Sequence, residues 1–467
     1  MTHQPQPAAY RADPAILSLG GDFYDAVAPA DFPRTILRFR NERWAPAVGL
    51  DALTDEEWVR HFGRFEPLPD NLPVPLALRY HGHQFRVYNP DIGDGRGFLF
   101  AQMRDDRDRL LDLGTKGSGQ TPYSRFGDGR LTLKGGVREI LATEMLEALG
   151  VETSRTFSLI ETGEALTRGD EPSPTRSAVL VRLQHSHIRI GTFQRLAYFE
   201  EGENIRRLVD YCLTHHYGQE GGDDGPARLL AHVAREGARL AASYITAGFV
   251  HGVLNSDNIA ITCESFDYGP WRFTPYWDGH FTAAYFDHAG LYSFGRQPEA
   301  IHWDVAQLAG SLRTIAEAEV LTPALDTFPA AFREALQASM CARLGVRAKG
   351  SDEDSALLVA IEGALMPKEV TIDRFFFDWR GGSRRGPSPA DGAYESDSCA
   401  DFRRLIATYQ SCAPVEHPYW QGEQPCSMHI EEVEAIWARI DEEDDWSALN
   451  AKVAAIRAMG EAMRGGA

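Results

Sequence analysis

The chain has 467 residues, room for roughly three units of about 150 residues or for one large two-lobed enzyme. Hydrophobic residues make up 43% and charged residues 24%, with 24 Phe, 16 Tyr and 9 Trp, which excludes a largely disordered chain, a collagen-like repeat or a minimal disulfide scaffold. Its 47 Lys and Arg against 67 Asp and Glu give a net charge of -20, which argues against a broad electrostatic clamp on nucleic acid and leaves room only for a local basic pocket.

Only five of the basic residues are Lys, so a role that needs an amine on a flexible stem has two candidates in the first 348 residues, Lys116 and Lys134. The six Cys form no C-x-x-C pair, which predicts a reduced, cytoplasmic protein. The first residues lack a basic start followed by an apolar run, and no stretch reaches 18 apolar residues, so neither a secretion signal nor a membrane span is expected. A monomer without nucleic-acid or membrane partners is the expectation.

Residues 1–74 read as a polar, Pro- and Gly-punctuated extension packed on the lobes, with Thr54 and Glu57 placed as a capping box. Residues 75–200 read as a sheet-rich lobe. There Gly93, Gly95 and Gly97 punctuate a hairpin-like turn, extended runs follow at 98–103 and 111–116, and Val137, Ile140, Leu141, Met145 and Leu149 mark an amphipathic helix. Two further extended runs, RTFSLIETG and RSAVLVRLQ, complete a mostly antiparallel sheet. From 201 to 467 helical periodicity dominates, interrupted by strand-like pieces at 259–262 and around Phe266, and the tract 379–398 reads as a flexible surface loop. The expected fold is therefore α+β, two lobes with a cleft between them.

Chemistry concentrates in the segment 251–270. Asp257 and Asn258 at a turn, facing Asp267 across a hairpin, would join two carboxylates and an amide oxygen, a donor set that suits Mg²⁺ bound with phosphates; the same residue types also simply make turns. Lys116 ends an extended run and Glu139 lies on the next helix, so an ion pair could present the ammonium to a phosphate, while the alternative is a surface Lys before a Gly turn. Gly93, Gly95 and Gly97 around Arg96 could bring backbone N–H groups to phosphate oxygens, although hairpins use such strings without a ligand. Arg182 and Arg189 could neutralise phosphate or lie on the surface. His185 and His187 lack partners at zinc spacing, His251 reads as an orienter, and Cys263 as a small buried hydrophobe.

The segments YHGHQF, GDGRG, LDLGTKGSGQTPYSRFGDGR, GGVREI, RSAVLVRLQHSHIRIGTF, HGVLNSDNI and FDYGP, in this order over about residues 75–310, resemble the SelO (YdiU) family of protein adenylyltransferases. The resemblance implies a protein-kinase-like fold with Lys116 on the phosphates and Glu139 as its helix partner. It implies Asn258 and Asp267 as ligands of Mg²⁺ or Mn²⁺, Asp257 as the acidic catalytic residue, and Gly93, Gly95, Arg96, Asp128, Gly129, Arg182 and Arg189 as the lining of the nucleotide site. ATP in that family lies flipped, so that AMP passes to Ser, Thr or Tyr hydroxyls of proteins and pyrophosphate leaves. Transfer of the γ-phosphoryl group by a divergent kinase, or nucleotide binding by an inactive pseudokinase, are the alternatives.

Overall fold

The computed structural model describes residues 4–169, 171–413 and 415–464. An antiparallel sheet organises the first part of the chain. Its strands are β1 (Tyr24–Ala26), β2 (Ile36–Arg40), β3 (Leu76–Leu78), β6 (Leu99–Arg104), β7 (Leu110–Lys116), β8 (Leu131–Thr132), β9 (Arg155–Leu166) and β10 (Thr175–Gln184). They run in the order β1-β3-β6-β7-β10-β9-β2, with β8 on β10. A separate two-stranded hairpin, β4 (Gly82–Gln84) with β5 (Val87–Asn89), is inserted between β3 and β6.

The central strands are buried on both faces because they alternate between two cores. On one face Leu111, Leu113, Val179 and Val181 meet Trp44, Trp58 and Phe62 from the N-terminal segment. On the other, Leu110, Ala178 and Leu180 meet Val137, Ile140 and Leu141 of helix α2 (Leu133–Ala148). Each such fully buried Leu, Val or Phe contributes about 1.5–3 kcal/mol. Helix α1 (Asp55–Gly63) in the N-terminal layer starts on the expected capping box: Thr54 accepts from the Glu57 amide, and Glu57 accepts from the Thr54 amide. The first 40 residues thus supply both edge strands of the sheet as well as part of a covering layer.

The remainder is helical: α3 (Ile190–Tyr198), α4 (Gly202–Tyr217), α5 (Gly225–Ala247), α6 (Gln297–Leu312), α7 (Ala318–Leu325), α8 (Phe328–Leu344), α9 (Ser351–Leu365), α10 (Ile372–Asp378), α11 (Asp391–Tyr394), α12 (Ala400–Ile406), α13 (Ile430–Glu443) and α14 (Ser447–Arg464). Between α5 and α6 lies a mostly irregular stretch with one short strand pairing, β11 (Phe249–Val250) with β12 (Arg272–Phe273). The central helix α5 packs on α6, α7 and α8. The last two helices return to the sheet region, where Arg457 of α14 grips Glu144 of α2 at 2.6 and 2.9 Å and Glu434 of α13 meets Lys134 at 2.7 Å. Among the described residues no helix is long and apolar enough to cross a membrane.

An α+β architecture with a sheet-rich N-terminal region and a helical C-terminal region is therefore present, and three local expectations need correction. The Gly93–Gly97 stretch is not a simple hairpin turn, since β3 and β6 do pair but the connection between them also carries β4 and β5. The 259–266 stretch forms no strands and no hairpin; Ala260 bridges Arg189 and Ser265 bridges Thr153, so the two ends of the stretch are held by different partners. Cys263 and Asp267, both at positive φ, break any ladder there. The tract 379–398 does run over the surface, with no buried residue from 381 to 393, but it is anchored rather than free: Trp379 packs on Tyr394 and Phe402, and Asp391–Tyr394 forms the short helix α11. Finally, residues 190–198 form a helix that periodicity did not mark.

Candidate active site

A cavity of about 700 Å³ opens between the ends of β6 and β7, the loop 123–130 and the segment carrying Asp257 and Asp267. Seven Arg and Lys side chains line it against four Asp, the local reversal of a chain whose net charge is -20.

Lys116, the last residue of β7, is buried with its ammonium against the Glu139 carboxylate of α2 and 2.9 Å from Asp267 Oδ1. Strand and helix are fixed relative to each other by the core between them, so this bridge is set by the fold and not by loop geometry. Asp267 also faces Arg182 at 3.5 Å and Arg189 at 3.8 Å. Burial pushes its carboxyl pKa up, but Lys116, Arg182 and Arg189 outweigh burial and hold it well below the usual carboxylate range. Asp267 adopts φ 62, and His251 fixes the chain just before it through a 2.9 Å contact from Nε2 to the Phe266 carbonyl.

Two further arginine contacts tie the site together. Arg189 donates to the Asp257 carbonyl at 2.8 Å and to Asp94 at 3.2 Å, and its guanidinium lies between the rings of Tyr80 and Phe266. Arg182 stacks on Phe266 and donates from Nε toward His187 Nε2 at 3.4 Å. His187, which burial keeps below its ordinary pKa, is oriented by Asp112; its ring occupies the space above Gly114, where any Cβ would come within 2.0 Å. His187 is thus a prop for Arg182.

Asp257 sits in a single 3-10 turn, Ser256–Asn258, and burial raises its pKa to about 6. Asn258 donates Nδ2 to the Val253 carbonyl at 3.0 Å, which leaves its Oδ1 as an acceptor. The Gly-rich turn has a steric reason for its composition, since a Cβ at Gly93 would meet the Tyr123 ring at 2.5 Å and one at Gly97 the Thr115 carbonyl at 2.1 Å. Gly129 at φ 69 closes the 123–130 loop against Gly119, and Asp128 at its rim accepts from Arg168 at 2.8 Å.

The fold thus brings Gly93, Gly95, Arg96, Lys116, Asp128, Gly129, Arg182, Arg189, Asp257 and Asp267 to one cavity wall. Glu139 lies behind Lys116, and Asn258 lies beside the wall and not in it. Sequence reasoning did not single out Gln84, Asp94, Tyr123 or Ser124, which also line the cavity. Asp94 stands between Gly93 and Gly95, and Tyr123 and Ser124 lie inside the segment LDLGTKGSGQTPYSRFGDGR, the signal available for them. Among the described residues no group of three His, Cys, Asp or Glu side chains forms a metal cage.

Fold and site together define an α+β protein with an open, cation-rich cavity where sheet and helices meet. A family profile described as protein adenylyltransferase SelO matches residues 8–457. Proteins named protein nucleotidyltransferase YdiU are 41% identical in Synechocystis sp., over 94% of this chain and 96% of that one, and 44% identical in Gloeobacter violaceus, over 93% and 92%. A third, from Trichormus variabilis, is 40% identical over 96% of each chain. The chain belongs to the SelO family.

Proposed function

We propose that this protein is an adenylyltransferase that moves AMP from ATP to a hydroxyl of a protein Ser, Thr or Tyr, with release of pyrophosphate, on a protein-kinase-like pair of lobes. Family membership supports the reaction class. The observation that carries the site assignment is the Lys116 bridge, one buried ammonium placed between Glu139 and Asp267 and flanked by Arg182 and Arg189.

Phosphoryl chemistry asks mainly for alignment and charge neutralisation. Lys116, Arg96, Arg182 and Arg189 would bind the phosphate oxygens, and Glu139 would hold Lys116 in line. Asp257 would accept the proton of the acceptor hydroxyl as its oxygen bonds to the α-phosphorus and the bond to the pyrophosphate oxygen breaks. Asp267 and the Asn258 Oδ1 are hard oxygen donors of the kind Mg²⁺ or Mn²⁺ takes, and two such groups without a third carboxylate fit an ion that completes its shell with phosphate oxygens. When bound, that ion supplies charge neutralisation on the phosphates.

Incubation with ATP labelled at the α or the γ position tests the reaction. Label from the α position is expected on protein, together with free pyrophosphate. Label from the γ position would make the protein a kinase, and ATP binding with neither label would make it a pseudoenzyme.

The bridge makes its own prediction. Lys116→Arg keeps the charge, but a planar fork cannot occupy the same point between two carboxylates, so transfer should fall by roughly 10-fold or more. Glu139→Ala should act in the same direction with ATP binding retained. Full transfer by both variants, in folded protein, would return the pair to a purely structural role.

A further inference from the structure

The cavity has a buried end and an exposed rim. Lys116, Arg182 and Arg189 are buried and gather on Asp267, whereas Arg125, Phe126 and Asp128 stand exposed at the rim. A triphosphate takes the buried cations, so the nucleoside joined to it leaves toward the rim. A base placed there needs a flat ring to cover it. Among the described residues three aromatic rings line the cavity, Tyr80, Tyr123 and Phe126. Tyr80 is buried, and its face is taken by the Arg189 guanidinium at 4.4 Å. Tyr123 is pressed on the Gly-rich turn, where a Cβ at Gly93 would come within 2.5 Å of its ring, and its hydroxyl donates to Asp25. Phe126 has both faces free, being 106% exposed.

A single exposed Phe is ordinary on a protein surface, but this one stands on a built pedestal. The Gly127 amide donates to the Ser124 carbonyl at 2.7 Å, closing a turn with Arg125 and Phe126 at its tip. Arg125 is held at φ 52, a left-handed conformation that a non-glycine residue keeps only where its surroundings impose it. Here Ser124 Oγ donates to the Gly95 carbonyl and Thr121 Oγ1 to the Asp94 carbonyl, both at 2.5 Å, and Gln120 Nε2 donates to the Gly127 carbonyl at 2.8 Å. Beyond the tip the chain is secured by ion pairs of Arg130 with Glu164 and of Asp128 with Arg168, each at 2.8 Å. The tip is thus mounted on the Gly-rich turn, and the ring it carries lines the cavity without packing on the protein.

We propose that Phe126 is the base-stacking residue of the nucleotide site: the 124–127 turn presents its ring to one face of the ATP base while Lys116, Arg182 and Arg189 hold the phosphates. This rests on the reading of the cavity as the ATP site. Phe126 then contributes affinity for the nucleoside and none for the phosphate chain. A purine offers the ring more surface than a pyrimidine, so the same contact favours ATP over CTP.

Calorimetric titration of the full chain with ATP, CTP and inorganic tripolyphosphate, each with Mg²⁺, tests it. Phe126→Ala should weaken ATP binding by about 10-fold, the scale of one lost base–ring stack, and leave tripolyphosphate binding unchanged. Its preference for ATP over CTP should narrow. Phe126→Trp should bind ATP at least as tightly as wild type, and the emission of the added indole, read as the difference from wild type, should be quenched by ATP and not by tripolyphosphate. Because the ring packs on nothing, both variants should melt with wild type. Wild-type affinity for ATP in Phe126→Ala, an equal loss for ATP and tripolyphosphate, or an added indole indifferent to ATP would overturn the proposal; the first of these would leave the ring to the acceptor protein. In wild type, ATP and tripolyphosphate should compete, and binding of both at once would sink the nucleotide cavity together with the role of Phe126. Wild type run with α- and γ-labelled ATP keeps the reaction separate, since γ transfer would sink AMP transfer while Phe126 is still judged on binding.

Discussion

Asp267→Ala should lower label transfer by at least about 100-fold while the fold survives, the loss expected when a central metal–phosphate interaction is removed. The carboxylate has two jobs. It offers a hard oxygen to a divalent ion, and it is the shared counter-charge of Lys116, Arg182 and Arg189, at 2.9, 3.5 and 3.8 Å. Removing it leaves three buried cations with less negative charge among them. ATP binding measured without metal should therefore persist or tighten even as transfer collapses, a split that unfolding cannot produce. Asn258→Ala should be milder, because water can replace an amide ligand. A magnesium titration of transfer that is identical in Asp267→Ala and wild type would remove Asp267 from the metal site.

How legible the site was in the sequence depended on how local each contact is. Helix α2 and the runs that became β6, β7, β9 and β10 announce themselves by periodicity, and the capping box at Thr54 is contained in four residues. The Lys116–Glu139 pair spans 23 positions on two confidently placed elements, so it too could be proposed. The contacts of the hairpin with Ser256 and Asn255 span 173 and 170 positions, and its strands are three residues each, too short to show alternation. The edge strands β1 and β2 lie in a Pro- and Gly-rich segment for the same reason unread. The error at 259–266 has the opposite origin. Ile259, Ala260 and Ile261 have strand composition, but they are buried by single bridges from elsewhere, and tertiary packing overrides propensity. In the 379–398 tract, Gly, Ser and Pro suggested mobility, whereas Trp379 and Tyr394 anchor the surface tract. The return of α14 onto α2 through Arg457 and Glu144, 313 positions apart, left no trace in the sequence at all.

Asp257→Asn carries the second large effect and a stability change of opposite sign. Loss of the proton acceptor should reduce transfer by about 100-fold or more, the usual scale of general-base catalysis. Stability should rise. Burial raises the Asp257 pKa to about 6, whereas in the unfolded chain it takes the ordinary value near 3.8. Between about pH 4 and 6 the folded protein therefore holds a proton that the unfolded chain has released, so stability falls as pH rises through this window and stays lower at neutral pH. Asparagine never ionises and escapes that cost. In metal-free protein near neutral pH, Asp257→Asn should be more stable than wild type by on the order of 2 kcal/mol, and the two should converge below about pH 4. Thermal melts across this range check it. Equal midpoints at neutral pH, or a gap that widens toward acid, would mean that Asp257 is not a carboxylate held at a cost; transfer by Asp257→Asn at the wild-type rate would mean that it is not the proton acceptor.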